Sequence, residues 1–105
     1  MKYGWMAPAL RALAGMAPVA QAQDAQALYL RTNAASCTAC HGTDGNVAAG
    51  SPLPALAGMS REYLSTQLKA FKAGTRTATV MHQIAKGYTD AQLDQLAGYF
   101  AGVKK

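Results

Sequence analysis

The chain has 105 residues with a formal net charge of +5. This length allows one small domain and no more, and the absence of repeats excludes collagen-like and coiled-coil proteins. Half of the residues are hydrophobic, but 23 are alanine and only 8% are aromatic, so large core side chains are scarce. Domains this small often need a disulfide, a metal or a cofactor to complete the core.

Residues 1–22 have the pattern of a cleaved signal peptide. Lys2 and Arg11 are basic, residues 12–20 are apolar, and Ala20-Gln21-Ala22 is a small-x-small cleavage site. An amphipathic helix that stays on the protein is the alternative. Cleavage would leave residues 23–105 as a single domain, exported most simply to a bacterial periplasm.

The mature chain would carry eight basic and five acidic residues, a net charge of +3. This charge is too small and too scattered to predict nucleic-acid binding. No uninterrupted apolar run reaches the roughly 18 residues that a membrane span needs, so the sequence does not predict an integral membrane protein.

The first mature helix is predicted to start at the cap Asp24 and to lead into Cys37-Thr38-Ala39-Cys40-His41. This C-x-x-C-H run is the attachment sequence for c-type haem. Cysteines three residues apart lie on one helical turn, so each can form a thioether with one haem vinyl group. His41 then lies under the iron as the proximal ligand. We therefore expect one covalently bound haem c, which also fits export and the shortage of core residues.

Three other functions of the cysteine pair fit less well. A thioredoxin-like centre follows a strand of a βαβ unit, and no strand pattern precedes Cys37. A zinc site needs more ligands than His82, the only other histidine, supplies. A structural disulfide would leave His41 without a function and the domain short of core.

A glycine-rich loop over residues 42–50 and a stiff extended segment over residues 51–54 are predicted to follow the motif. A second helix begins at the cap Ser60 and ends at Gly74. Its apolar face has the spacing i, i+4, i+7: Leu64, Leu68 and Phe71. Residues 75–88 are predicted to form a loop around Met81, with residues 84–86 able to form a helical turn.

The last helix has the clearest signals. Thr89 and Gln92 have the spacing of a capping box. The apolar positions repeat every three to four residues: Leu93, Leu96, Ala97 and Phe100. Gly98 costs about 1 kcal/mol relative to alanine inside a helix, so we expect another helix to approach closely there. The sequence as a whole predicts an all-α fold.

Taken in chain order, these predicted helices, loops and motifs resemble those of the class I cytochromes c. The resemblance covers essentially all of residues 23–105. The resemblance rests on the haem motif, on Pro54-Ala55-Leu56-Ala57-Gly58, on Met81 and on Leu96-Ala97-Gly98-Tyr99-Phe100. It implies a small class I cytochrome c fold with three to four helices wrapped around one covalently bound haem.

A narrower resemblance is to the cytochrome subunit of flavocytochrome c sulfide dehydrogenases. It rests on Phe71-Lys72-Ala73-Gly74 and on Val80-Met81-His82-Gln83-Ile84-Ala85-Lys86-Gly87-Tyr88, whose last five residues are the specific part. Subunits of that family often carry two haem domains, whereas this chain has one haem motif.

This resemblance implies a periplasmic electron-transfer cytochrome that accepts electrons from an FAD-containing flavoprotein oxidising sulfide and passes them to a downstream cytochrome or oxidase. No catalytic residue is assigned to this chain alone. A free carrier to a terminal oxidase is one alternative, and a haem enzyme or gas-binding protein with a labile sixth ligand is another.

Three side chains are candidates for the sixth iron ligand. Met81 lies in a loop that can wrap to the other haem face, and the resemblance also places the axial methionine there. His82 is the spare imidazole, and Met59 fits core packing; an open site is the fourth option. Ligation by histidine and methionine leaves no position for substrate and raises the potential, which predicts electron transfer.

The resemblance also sets the Pro54 carbonyl against the His41 N–H, a bond that would fix the imidazole ring. Four apolar residues are expected to pack the haem, with ordinary helix packing as the alternative: Leu56, Leu68, Ile84 and Leu96. Lys69, Lys72 and Arg76 would give one helix a basic edge that steers an acidic partner, unless the helix ends before Arg76 and the lysines are simply solvated.

Overall fold

The computed structural model describes residues 17–105, with side chains from residue 19 onwards. Four α-helices and one 3-10 turn follow in order: α1 Ala17–His41, the 3-10 turn Thr43–Gly45, α2 Arg61–Ala73, α3 Met81–Lys86 and α4 Asp90–Ala101. Residues 17–105 contain no β-strand. The all-α prediction is therefore confirmed.

Helix α1 is longer than the sequence predicted. It already runs from Ala17, so Asp24 lies inside the helix and the prediction that it caps the helix is wrong. Alanine and glutamine dominate the first half of α1, and their high helix propensity favours a helix there. Residues 19–29 are exposed, and burial begins at Leu30. The expected leader, residues 1–22, lies largely outside the described residues.

The ends of α2 and α4 lie where the capping signals predicted them. Ser60 Oγ accepts a hydrogen bond from the Tyr63 amide at 3.0 Å, and Gly74 closes α2 in the left-handed region at φ +80°. At α4, the Thr89 amide donates to Gln92 Oε1 at 2.8 Å and the Gln92 amide donates to Thr89 Oγ1 at 3.1 Å. Both bonds of the capping box are therefore present.

The core lies where α1, α2 and α4 meet. It consists of five buried side chains with exposed fractions of 6% or less: Ala34, Leu64, Leu96, Ala97 and Phe100. Ala34 of α1 and Ala97 of α4 are among the most buried residues, at 1% and 0% exposure. Small side chains at both positions let the backbones of the first and last helices pack closely.

Gly98 does not have the function that the sequence predicted. A Cβ atom at this position would meet the Arg61 side chain, with the nearest atom, Nε, at 3.6 Å, which is an ordinary contact. The three atoms nearest to that position all belong to the Arg61 side chain, and none belongs to a helix backbone. The expectation of a close helix approach at Gly98 is therefore wrong, because a flexible side chain occupies the position.

The loop between α1 and α2 is fixed to α4 through Gly45. This residue is buried at φ +79°, and a Cβ atom there would lie 2.8 Å from Phe100 Cδ1. Its carbonyl accepts hydrogen bonds from the amides of Leu56 at 2.8 Å and Ala57 at 3.2 Å. These contacts hold the segment that contains Pro54 against the end of α1.

Residues 75–88 are not a continuous loop. Met81 is the first residue of the short helix α3, whereas the sequence placed it at the centre of a loop. Residues 81–86 include no glycine or proline, and Gly87 follows the helix, so local sequence permits this helical segment. The helical turn expected at residues 84–86 is its second half, and α3 packs against α2.

Candidate cofactor site

One cleft of about 360 Å³ is bordered by all four helices and by the loop before α2. Every site residue predicted from the sequence lines it: Cys37, Cys40, His41, Pro54, Leu56, Leu68, Met81, Ile84 and Leu96. Most of the other lining side chains are also apolar. The fold thus brings together residues that lie up to 59 positions apart in the sequence.

His41 is held in a defined orientation at the last position of α1. It is 8% exposed, and its Nδ1 lies 2.8 Å from the carbonyl oxygen of Pro54. A carbonyl only accepts, so Nδ1 donates this bond and Nε2 is the ring nitrogen left to bind a metal. The bond that the resemblance implied between His41 and Pro54 is therefore present, and it prepares the ring for a metal at Nε2.

The two cysteines share the helix face that carries His41. Residues at i, i+3 and i+4 lie on one side of a helix, which brings Cys37, Cys40 and His41 onto the cleft together. Cys37 is half-buried, Cys40 is exposed, and they form no disulfide. Burial raises the pKa of the Cys37 thiol, and a hydrogen bond between this thiol and Ser36 partly opposes the shift.

The three candidates for the sixth ligand lie in different environments. Met81 and Met59 both line the cleft, whereas His82 is not among its lining residues. Met59 also packs against the buried core cluster. The Nδ1 atom of His82 is buried and has no hydrogen-bond partner within the described part of the chain.

The lysines of α2 form ion pairs with α4. Lys69 Nζ lies 2.8 Å from an Asp94 carboxylate oxygen, and Lys72 Nζ lies 3.0 Å from Asp90. Hydrogen bonds from Lys69 and then Ser65 hold the pKa of Asp94 below its usual value. Helix α2 ends at Ala73, before Arg76, so the three basic residues do not form one continuous helix edge.

Four polar side chains that were not expected from the sequence also line this cleft. Tyr63, Gln67, Arg76 and Thr77 all line it, and Arg76 Nη1 donates a hydrogen bond to Gln67 Oε1. Their proximity could not be predicted from the sequence, because two of the residues lie on α2 and the other two lie in the segment that turns back after it. The i, i+4 spacing of Tyr63 and Gln67 was the one local signal.

The donor set fits a covalently attached haem and does not fit a zinc ion. Two thiols, an imidazole with a free Nε2 and a largely apolar wall surround one cleft. Within residues 17–105, no group of three or more His, Cys, Asp and Glu residues is arranged to hold a metal ion. In the same range, no helix is long and apolar enough to cross a membrane.

The fold and the site define a c-type cytochrome, and the family comparison agrees. The family model for cytochrome c matches residues 22–104, so the chain belongs to the cytochrome c family. The cofactor of the family is haem c, and its function is electron transfer.

Relatives of this chain are electron-transfer proteins of bacteria. It is 49% identical over 70 residues to the cytochrome subunit of sulfide dehydrogenase from Chlorobaculum tepidum, an alignment that covers 67% of this chain and 62% of that protein. It is 47% identical over 73 residues to a thiosulfate dehydrogenase electron acceptor from Thiomonas intermedia, covering 68% of this chain and 33% of that one. The chain therefore spans less than two thirds of either relative.

A solved structure supports the class I cytochrome c fold. The cytochrome c4 of Acidithiobacillus ferrooxidans superposes with a TM-score of 0.60 and 45% sequence identity. The superposition covers 64% of this chain and 38% of the cytochrome c4 chain.

Proposed function

We propose that this chain is a periplasmic electron carrier with one haem c, attached through Cys37 and Cys40 and ligated by His41 and Met81. The observation that carries the proposal is the hydrogen bond from His41 Nδ1 to the Pro54 carbonyl inside a cleft that also holds both thiols. It leaves Nε2 of a buried, oriented imidazole as a ligand beside two attachment points. A single C-x-x-C-H run supports one haem.

Met81 is the sixth ligand that the geometry supports best. It lines the cleft from the first turn of α3, and unlike Met59 it is not one of the residues packed against the buried core cluster. His82, although adjacent in sequence, is absent from the cleft lining. A thioether ligand opposite an imidazole favours ferrous iron and raises the reduction potential.

The haem, when bound, supplies an iron that gains or loses a single electron. This chain's own residues would keep water from that iron, fix its ligands and lower the dielectric around it. Leu56, Leu68, Ile84 and Leu96 line the cleft and would pack against the macrocycle. His41 and Met81 would both hold the iron and would leave no position for substrate, so we expect the carrier to do no bond chemistry of its own.

The proposed donor is an FAD-containing flavoprotein that oxidises sulfide. The 49% identity to a protein named as the cytochrome subunit of sulfide dehydrogenase supports this partner. The specific run Ile84-Ala85-Lys86-Gly87-Tyr88 supports it as well. Export by the leader, residues 1–22, would bring the carrier to the periplasm, and a downstream cytochrome or oxidase would receive the electrons.

A second candidate is a free carrier that serves another sulfur-oxidising enzyme. Identity of 47% to a thiosulfate dehydrogenase electron acceptor favours it. The two candidates share the haem site and differ in the protein that delivers the electron.

Co-purification under oxygen-free conditions tests the partner. Tagged holoprotein from its native cells is expected to retain a flavoprotein in a 1:1 ratio, and its haem is expected to be reduced on addition of sulfide. The matched control adds thiosulfate to the same preparation. Recovery of the holoprotein without a bound flavoprotein would overturn the sulfide dehydrogenase assignment in favour of the free carrier.

Covalent attachment has its own test. Haem is expected to stay with the wild-type chain after denaturation and extraction with acidified solvent. The variants Cys37→Ala and Cys40→Ala each keep one thioether and shift the haem absorption band. Complete extraction of haem from the wild-type chain would contradict attachment at these cysteines.

A further inference from the structure

Ser36 and Tyr88 form a long-range hydrogen bond that the proposed function does not use. Their hydroxyl oxygens lie 2.6 Å apart, although the residues are 52 positions apart in the sequence. Ser36 lies on α1 directly before Cys37 and lines the cleft, and Tyr88 lies in the short connection between α3 and α4. Within residues 17–105, no other hydrogen bond joins α1 to residues 75–88.

The hydroxyl of Tyr88 is the donor in this bond. Ser36 has one hydroxyl proton, and its Oγ donates that proton to the Asn33 carbonyl oxygen at 2.8 Å. Ser36 Oγ is therefore left to accept from Tyr88 Oη. The two hydrogen bonds together fix the Tyr88 side chain to the backbone of α1. The Tyr88 ring also packs against the buried core cluster, which limits the positions that its hydroxyl can take.

Helix α3 carries Met81 and depends on its neighbours for stability. It has six residues, about half of the roughly 12 that an isolated helix needs in water. Val80 at its N-cap makes no side-chain hydrogen bond, so the end of the helix that carries Met81 lacks a side-chain cap. Packing against α2 supports α3 along one side.

The other end of α3 is held by Tyr88. The Tyr88 amide donates to the Ala85 carbonyl at 3.2 Å, and Ala85 is 1% exposed. Ala85 lies one helical turn after Met81, so a constraint on Tyr88 is also a constraint on the helix that carries the Met81 side chain.

We propose that the hydrogen bond between Ser36 and Tyr88 holds the cleft closed on the side of Met81, and that both residues position the Met81 sulfur. This inference rests on the proposed function, because it takes Met81 as the sixth ligand. His41 lies at the end of α1 and Met81 at the start of α3. The hydrogen bond therefore links the helix of one axial ligand to the helix of the other.

This hydrogen bond resists the movement that frees the iron for an external ligand. Such a ligand binds only after the Met81 sulfur has left the iron, and α3 moves away from α1 in that step. The apparent affinity for the ligand therefore scales with the fraction of protein in the open state. Loss of one hydrogen bond of this kind is expected to raise that fraction about fivefold.

Titration of the ferric holoprotein with imidazole tests the inference. Imidazole binds ferric haem in place of a methionine sulfur, and its binding removes the weak far-red band that a bond between this sulfur and ferric iron gives. Tyr88→Phe and Ser36→Ala are each expected to bind imidazole about fivefold more tightly than the wild type. The double variant is expected to show the same change, because both substitutions remove one shared bond.

Tyr29→Phe is the matched control. Tyr29 Oη accepts a hydrogen bond from Gln92 Nε2, also at 2.6 Å, and this bond joins α1 to α4. Neither Tyr29 nor Gln92 lines the cleft. Tyr29→Phe is therefore expected to lose a similar amount of stability and to bind imidazole with the affinity of the wild type.

Three results would overturn the inference: unchanged imidazole affinity in Tyr88→Phe, an equal rise in Tyr29→Phe, or an effect of about 25-fold in the double variant, which is the product of two independent effects. If Tyr88→Phe does not accumulate, Ser36→Ala carries the test, because Ser36 is exposed and its truncation leaves the core intact.

The spectrum of the wild-type protein separates this inference from the proposed function. Attached haem and a far-red band in the wild type, together with unchanged imidazole affinity in Tyr88→Phe, overturn the positioning role of Tyr88 and Ser36 alone. A wild-type chain without attached haem, or without the far-red band, overturns the proposed iron ligands and this inference with them.

Discussion

Truncation of Leu93 and of Leu96, both on α4, distinguishes packing against the haem from packing between helices. Their exposed fractions are 1% and 2%, so the two side chains are equally buried. Leu96 lines the cleft, whereas Leu93 does not. Truncation of each to alanine removes the same atoms from the same helix, and only Leu96→Ala opens space on the cofactor side.

Both truncations are expected to cost about the same stability. Loss of a fully buried leucine side chain with partial collapse of the cavity costs about 3 kcal/mol in the free energy of unfolding. For a domain of this size, about 3 kcal/mol corresponds to a fall of roughly 12–24 °C in melting temperature. Leu96→Ala is also expected to lower the reduction potential, because a more polar haem environment stabilises ferric iron.

Thermal unfolding followed by circular dichroism and redox titration of both holoproteins check this prediction. The expected result is two similar losses of stability and a potential shift in Leu96→Ala alone. Equal potential shifts in the two variants, or a shift in Leu93→Ala only, would refute the assignment of Leu96 to the haem wall.

Three further substitutions test other parts of the structure. Met81→Ala is expected to keep its haem and to bind azide at the iron, and an unchanged low-spin spectrum would show that another residue is the ligand. Tyr88→Phe loses the 2.6 Å hydrogen bond between Tyr88 Oη and Ser36 Oγ, and is expected to lower the unfolding free energy by about 1 kcal/mol in guanidinium titrations; an unchanged midpoint would contradict this. The pKa of the Asp94 carboxyl lies below its usual value because of Lys69, so its stabilisation is present above that usual value and is lost as the pH falls through the folded-state pKa. Asp94→Asn is therefore expected to flatten the fall of melting temperature as the pH drops below about 5, by a small amount because the side chain is 41% exposed, and a curve as steep as that of the wild type would contradict it.

The parts of the fold that depend on neighbouring residues were predictable from sequence. The caps at Ser60 and Thr89 and the left-handed end at Gly74 involve contacts within a few residues, so their signals are local. The C-x-x-C-H motif is local in the same way, since one helical turn sets the relation of Cys37 to Cys40.

The errors arose where propensity or tertiary contacts decide the structure. Helix α1 continues through Asp24 because alanine-rich sequence needs no cap to stay helical. Met81 begins a helix and does not sit in a loop, since packing of α3 against α2 stabilises six residues that show no strong helical period. Gly98 faces the flexible Arg61 side chain, a contact that no spacing rule reveals.

The candidate site was predictable where its residues are close together in sequence, or where the family resemblance indicated that distant residues are in contact. The hydrogen bond of His41 to Pro54 spans 13 positions and was expected from the resemblance alone. The contact of Arg76 with Gln67 and Phe71 depends on the chain turning back after Gly74. The sequence left open whether Arg76 continues the helix edge of Lys69 and Lys72, and the helix ends before it.

The absorption spectrum of the oxidised wild-type protein tests the central claim, that His41 and Met81 hold one haem, most directly. A bond between methionine sulfur and ferric iron gives a weak far-red charge-transfer band in a low-spin spectrum. We expect this band in the wild type and in Met59→Ala, and its loss in Met81→Ala with the haem still attached. A high-spin ferric spectrum of the wild type that changes readily with azide, or a far-red band that survives in Met81→Ala, would contradict it.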